Sequence, residues 1–233
     1  MQFLLTKTPL LALAAGLLLT ASAAADPVYG TAATLTGSRT EATPGNPGLV
    51  TGGAYASDSL TQGISWEITS LGGGLWSYSY TLTNFDGAPG AGAGLSHWIL
   101  DLTDDCYRPG DPACVTGIDG PVENSEIGSY RGGPSNPGLL ANIIGIKFNV
   151  ADGGDATYTF TSNRAPVWGD VYFKGGRSHY AYNSGLMNHD LSEDINDFIA
   201  RPNGDDPNVP EPGTLVLFGA ALIAGAGRIR RRR

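Results

Sequence analysis

Histidines and serines are the side chains of this sequence that could carry out nucleophilic chemistry. The chain has three histidines, His97, His179 and His189, and Ser96 directly precedes the first of them. With an aspartate, Ser96 and His97 could form a nucleophile set. However, no Gly-x-Ser-x-Gly, His-Glu-x-x-His or phosphate-binding glycine motif is present. Structural or surface roles are therefore favoured for these residues.

Paired carboxylates could instead hydrolyse glycosides, one acting as the acid and the other as the base or nucleophile. Glu67 and Asp101 lie within predicted strands, but on the polar side of the alternation. We therefore expect no enzymatic activity, and we keep a secreted enzyme that acts on polysaccharide through paired carboxylates as the alternative hypothesis.

Aspartates near one strand end suggest calcium, which prefers carboxylate and carbonyl oxygens from flexible loops. The candidate ligands are Asp101, Asp104 and Asp105. No Asp-x-Asp-x-Asp-Gly loop is present, and Asp-rich segments are more often simple turns. No cofactor other than calcium is expected. Asp152 and Asp155 flank a Gly-Gly pair and predict a tight hairpin turn.

The two cysteines, Cys106 and Cys114, are predicted to form a disulfide. Nearby cysteines usually pair in an oxidising compartment, and the segment between them is rich in turn-forming residues. Zinc is the rival interpretation, but it needs four ligands, and His97 is the only nearby imidazole.

Two aromatic residues, Trp168 and Tyr172, are candidates for carbohydrate contact. Tyr172 alternates with Val171 and Phe173, so it should lie on the opposite face of its strand and be exposed.

The elements that carry these residues are predicted to be strands. In residues 75–85, large rings alternate with serine and threonine, a period of two that places the rings on one face. Residues 64–68 alternate in the same way, and the glycines at 72–74 predict a hairpin. Further strands are predicted around residues 28–35, 98–102, 144–150, 158–160, 171–173 and 180–182. Many short strands between Gly/Pro clusters predict an all-β fold, an antiparallel, jelly-roll-like β-sandwich.

The ectodomain is assigned to residues 26–200. A short helix is predicted at 191–199, and a polar linker follows at 201–209. All 22 acidic residues but only 8 of the 14 basic ones fall between residues 26 and 211, which gives this part a net charge of −14. Such a surface repels nucleic acid and anionic lipid, so no nucleic-acid partner is expected.

The N-terminal residues 1–25 have the features of a secretory signal peptide. Lys7 supplies the positive charge, residues 10–19 are apolar, and Ala23, Ala24 and Ala25 provide a cleavage site with small side chains.

The C-terminal residues 210–233 combine a stiff turn, an apolar run and a basic end. Pro210 and Pro212 keep the backbone around Glu211 extended. A membrane-spanning helix is predicted at 213–229, because the run is apolar and arginine stems can extend its reach to the bilayer surface. The arginines should stay in the cytoplasm, so the ectodomain should lie outside. These membrane-stop residues are Arg228, Arg230, Arg231, Arg232 and Arg233.

This order of elements resembles the PEP-CTERM sorting signal of exported proteins from Gram-negative bacteria. The resemblance begins with Val209, Pro210, Glu211 and Pro212 and continues through the apolar run to the arginines. It implies processing near the motif by an exosortase, a membrane-embedded cysteine peptidase. It also implies a transient anchor, and then a location at the cell surface or in the extracellular matrix, where polysaccharide is a possible partner.

Overall fold

The computed structural model describes residues 35–43, 47–56, 60–86, 94–102, 106, 114–139, 142–150, 155–176, 178–187 and 195–202. The predicted signal peptide, the sorting signal and its membrane helix, and Asp104 and Asp105 lie outside these residues. The early strand predicted at 28–35 also lies outside them, except for its last residue.

The regular elements of the described residues are mainly β-strands, with short 3-10 helices at Ser184–Met187 and Ile195–Asp197. The strands are β1 Thr36–Thr40, β2 Leu49–Gly52, β3 Gly63–Gly72, β4 Leu75–Thr83, β5 Leu95–Asp101, β6 Thr116–Asp119, β7 Val122–Tyr130, β8 Ile143–Val150, β9 Thr157–Ser162, β10 Pro166–Gly169, β11 Val171–Gly175, β12 Tyr180–Asn183 and β13 Ile199–Pro202.

The strands form two main sheets. The five-stranded sheet has the order β1-β3-β4-β9-β6, and the six-stranded sheet has the order β2-β12-β11-β5-β8-β7. A small ribbon pairs β10 with β13. Every strand pair is antiparallel. The predicted antiparallel β-sandwich is confirmed.

Aromatic rings from the inner faces of both sheets fill the core. Tyr80 of the five-stranded sheet lies 5.7 Å from Trp98 of the six-stranded sheet, measured between ring centroids. Trp98 stacks on Phe148 at 4.3 Å and meets Tyr158 edge-on at 5.2 Å. The alternation in β4 and β9 produces this arrangement, because each buried ring is followed by a small polar residue on the other face.

The predicted hairpin between β3 and β4 is confirmed. Strand pairing runs from Gly63 opposite Thr83 to Gly72 opposite Leu75. Gly72, Gly73 and Gly74 have φ values of 85°, 62° and 80°. Glycine suits this turn because other residues rarely adopt positive φ.

Three local predictions are wrong. Asp152 and Asp155 do not mark a hairpin, because β8 belongs to the six-stranded sheet and β9 to the five-stranded sheet. The helix predicted at 191–199 does not reach residue 199, which begins β13, and the chain just before it forms only a single 3-10 turn. Arg201 and Pro202, which were predicted to begin the linker, belong to β13 instead.

A disulfide links Cys106 and Cys114 in the segment that connects β5 to β6. This segment crosses from the six-stranded sheet to the five-stranded sheet. The predicted pairing is confirmed. Both cysteines are buried and belong to the main hydrophobic core. The disulfide therefore holds the crossing segment against the sandwich.

Candidate functional site

The outer face of the six-stranded sheet is covered by residues 131–139, here called the covering loop. Leu139 of this loop packs in a second apolar cluster with Ile99, Tyr172 and Leu186. The Tyr172 hydroxyl donates a hydrogen bond to the carbonyl of Pro137 at 2.7 Å.

The expected exposure of Tyr172 is therefore wrong. Its phase was predicted correctly, since it lies on the face opposite Val171 and Phe173, but the covering loop buries its side chain completely. Burial raises its pKa above the ordinary range for tyrosine.

Trp168 is also buried, with 7 % of its surface exposed. Its ring meets Trp66 edge-on at 6.3 Å, and the guanidinium of Arg39 lies over it at 5.8 Å. Neither Trp168 nor Tyr172 presents a flat exposed ring to a saccharide, so the structure does not support the predicted carbohydrate contacts.

The candidate calcium ligand Asp101 is paired with a cation of the protein. Its Oδ2 lies 3.2 Å from Nε of Arg201, which is itself buried. Among the residues that the structure describes, no group of three or more His, Cys, Asp and Glu side chains could hold a metal ion. The other candidate ligands, Asp104 and Asp105, fall outside those residues.

Glu67 and Asp101 do not form an acid–base pair. Glu67 points outward from the five-stranded sheet, whereas Asp101 belongs to the six-stranded sheet and is held by Arg201. Glycosidase carboxylates flank a single bond, about 5–10 Å apart. These two side chains lie on separate sheets, and that of Asp101 is held in an ion pair, so the structure does not show them as a facing pair.

Ser96 and His97 are neighbours on β5 at a point where its register with β11 shifts, and Ser96 is exposed whereas His97 is buried. His97 contacts the covering loop through its Nε2 atom, 2.9 Å from Oδ1 of Asn136. The Asn136 amide in turn donates to the carbonyl of Arg131 at 2.9 Å, which leaves Oδ1 to accept from the imidazole. His97 thus holds the loop to the sheet.

The pKa of His97 is lowered, mainly because burial disfavours the charged imidazolium. The hydrogen bond to Asn136 opposes this effect, and the cations Lys147 and Lys174 add to it. A neutral imidazole is consistent with a structural contact in this place.

The outer face of the five-stranded sheet has a different character: it is lined almost wholly by hydroxyl groups. We call it the hydroxyl face. Apart from the apolar Leu75 at the end of β4, its residues are Thr36, Ser38, Thr40, Ser65, Glu67, Thr69, Ser77, Ser79, Thr81, Thr83, Thr116, Asp119, Thr157, Thr159 and Thr161. Glu67 and Asp119 are its only charged members.

Cross-strand register arranges the hydroxyl face in rows. One row runs from Thr36 through Glu67 and Ser79 to Thr159. In a neighbouring row, the hydroxyls of Thr81 and Thr157 lie 2.9 Å apart. Such rows follow from the period of two, which places every second residue of each strand outward. In the sequence, these residues are the polar positions that alternate with apolar ones along each strand.

An open hollow of about 390 Å³ lies at the β1 side of the hydroxyl face. Glu67 is the one carboxylate that lines it. The lining residues are Thr36, Gly37, Ser38, Ser65, Trp66, Glu67, Ser79 and Thr81. The hollow can therefore offer hydroxyl donors and acceptors together with one anionic acceptor.

The remaining candidate site, at the C-terminus, is assigned by comparison. A family model for the PEP-CTERM protein-sorting motif matches residues 208–232. The chain carries a PEP-CTERM sorting motif. The motif implies that an exosortase sorts and processes this chain, which is exported and anchored at its C-terminus before cleavage.

The PEP-CTERM match contains Val209, Pro210, Glu211 and Pro212 and ends just before Arg233. The individual roles of these residues in recognition, and of the arginines in stopping transfer, remain predictions. Among the residues that the structure describes, no helix is long and apolar enough to cross a bilayer, and the segment 213–229 is not among them.

The PEP-CTERM match does not extend into the sandwich. A search of curated proteins and a search of solved structures found no match to this chain.

Proposed function

We propose that this PEP-CTERM protein is a non-enzymatic component of the cell surface or extracellular matrix, and that its hydroxyl face contacts a neutral polysaccharide. The observation that carries the proposal is the hollow of about 390 Å³ in that face. The sorting signal supports the location, because it implies export and processing at the membrane.

The chemistry of the hydroxyl face favours a neutral polymer of sugars. Hydroxyl side chains can donate and accept hydrogen bonds, as sugar hydroxyls do. An acidic polysaccharide would require cations, and the charged side chains of this face, Glu67 and Asp119, are both anionic. Like-charge contact opposes binding.

The alternative of a polysaccharide-degrading enzyme needs two carboxylates at one site. Glu67 is the single carboxylate among the residues lining the hollow. This arrangement supports binding without cleavage.

Binding to soluble neutral polysaccharides tests the proposal, measured as retardation of the exported, processed protein in gels that contain each polymer. The variant Ser79→Tyr places a ring in the hollow and should abolish retardation. Ser129→Tyr is the matched control, since Ser129 is exposed on β7 of the other sheet. We expect it to bind like the wild type.

Three outcomes would count against the proposal. If no neutral polysaccharide retarded the protein, neutral polysaccharides would be excluded as its ligands. Equal loss of binding in both variants would remove the hollow as the site. Release of shorter saccharides by the wild-type protein would favour the enzyme.

A further inference from the structure

The tip of the β3–β4 hairpin exposes large apolar side chains. Leu71 and Leu75 flank the turn and are 54 % and 39 % exposed. Among the described residues, the one other large hydrophobic side chain that is exposed to this degree is Ile195, at 47 %. Trp76 follows directly and is half-buried. The tip is therefore a small apolar patch at the end of a strand pair.

The turn of this tip stands clear of the described parts of the domain. A Cβ atom added at Gly72, Gly73 or Gly74 would meet nothing within 4 Å. Positive φ explains why these residues are glycines, and the open space shows that no described part of the sandwich packs on them. The tip is accessible to a surface outside the domain.

The tip is also uncharged, although the ectodomain is strongly acidic. Residues 68–85 contain no charged side chain. A bilayer disfavours contact with carboxylates, since charges are costly to move out of water. The tip is thus a part of this acidic domain that could approach lipid without that cost.

The last described strand, β13, runs toward the end of the sandwich at which the hairpin tip lies. The hydroxyl of Tyr80 contacts the carbonyl of Ala200, and that of Tyr78, one step closer to the tip, contacts the carbonyl of Arg164. Pro202 pairs with Pro166, two residues after Arg164. From Ala200 to Pro202, β13 therefore runs from the level of Tyr80 toward the tip.

The length of chain between Pro202 and the sorting motif limits how far the domain can lie from the membrane. Seven residues, 203–209, precede the motif, and the ten residues 203–212 that lead to the predicted membrane helix span at most about 36 Å when fully extended. A short tether keeps the tip at a high effective concentration near the bilayer, so a weak affinity is sufficient.

We propose that, before cleavage, the hairpin tip docks on the outer surface of the bilayer and inserts Leu71 and Leu75 at the boundary between headgroups and acyl chains. This contact orients the sandwich so that β13, the last described strand, runs toward the membrane. The inference rests on the anchored state that the sorting motif implies. It is independent of polysaccharide binding.

Quenching of tryptophan fluorescence by lipid tests this docking. The full chain would be reconstituted in phosphatidylcholine vesicles with brominated acyl chains, and flotation would verify its attachment. Trp66, Trp98 and Trp168 are buried, so quenching should come from Trp76 and should disappear in the Trp76→Phe variant.

The double variant Leu71→Ser/Leu75→Ser should weaken the docking equilibrium about tenfold, the change expected when roughly one leucine's worth of apolar contact is lost, and should therefore lower the Trp76-dependent quenching. Ile195→Ser is the matched control, because Ile195 is similarly exposed but lies beside Arg39, away from the tip. It should quench like the wild type.

Absence of quenching in vesicles that carry the wild-type chain would overturn the proposal, as would equal quenching in the double variant. A chain that does not float with the vesicles would also overturn it, since the tether would then be missing. Loss of polysaccharide binding would leave these results unchanged, so the two proposals fail separately.

Discussion

Buried tyrosine hydroxyls connect the five-stranded sheet to the residues just before β10 and to β13, the last described strand. Tyr78 and Tyr80 donate to the carbonyls of Arg164 and Ala200, each at 2.8 Å. Burial raises the pKa of Tyr78, so its hydroxyl remains a donor throughout the physiological range. These bonds hold the β10–β13 ribbon under the sheet.

Removing one of these hydroxyls should destabilise the domain. We expect Tyr80→Phe to lower the free energy of unfolding by about 1–2 kcal/mol, because the buried carbonyl of Ala200 loses its donor. Urea denaturation followed by tryptophan fluorescence measures the change. Tyr182→Phe, on a half-exposed ring, should cost less, and an equal cost for both variants would contradict this account.

His97 should make stability depend on pH in one direction. Its folded pKa lies below the ordinary value of 6.5, so the unfolded chain binds a proton first as the pH falls. Stability should therefore be complete above the unfolded pKa and decrease as the pH falls from there toward the folded pKa.

The His97→Gln variant tests this expectation, since glutamine keeps a donor for Asn136 but does not titrate. Melting temperatures at about pH 7.5 and about pH 5.5 bracket the ordinary histidine pKa. The wild type should lose more stability between them than the variant. Equal losses would mean that His97 has no part in the pH dependence.

At the scale of elements, the crossing from β5 to β6 depends on the Cys106–Cys114 disulfide. The double variant Cys106→Ala/Cys114→Ala should lower the free energy of unfolding by about 2–3 kcal/mol, the chain-entropy value for a ring of this size. Wild-type protein in a reductant provides the matched control and should unfold at the same urea concentration as the variant. No difference between oxidised protein and variant would contradict the prediction.

The sequence predicts an element well where burial alternates along it, as in β4 and β9. It does not predict β7, because this edge strand is mostly exposed and polar and shows little apolar alternation. The exposure of Tyr172 could not be predicted either, since the covering loop that buries it comes from residues distant in the chain. Local pattern gives the phase of a side chain, but its environment depends on tertiary contacts.

The hydroxyl face likewise has one feature that the sequence predicts and another that depends on tertiary contacts. The polar phase of each strand is visible in the sequence, but the hollow around Glu67 depends on which strands become neighbours. Likewise, Asp152 and Asp155 resemble a hairpin turn locally, whereas the flanking strands pair in different sheets.

At the scale of the whole molecule, the sandwich and the sorting signal have separate tasks. The signal implies export and processing at the membrane, whereas the described domain offers a hydroxyl face and an apolar hairpin tip. In our proposals the tip acts while the chain is anchored, and the hydroxyl face acts at the cell surface. The first depends on the anchored state and the second on export and processing, and the sorting motif implies all of these.

Processing of the exported chain is therefore the most direct test. The full chain would be expressed in a host with its exosortase gene intact or deleted, and intact-mass spectrometry would identify the product. We predict an ectodomain that lacks the C-terminal arginines in the intact host, and an unprocessed chain both in the deletion host and for the Glu211→Ala variant. The same mass in all three cases would contradict exosortase sorting.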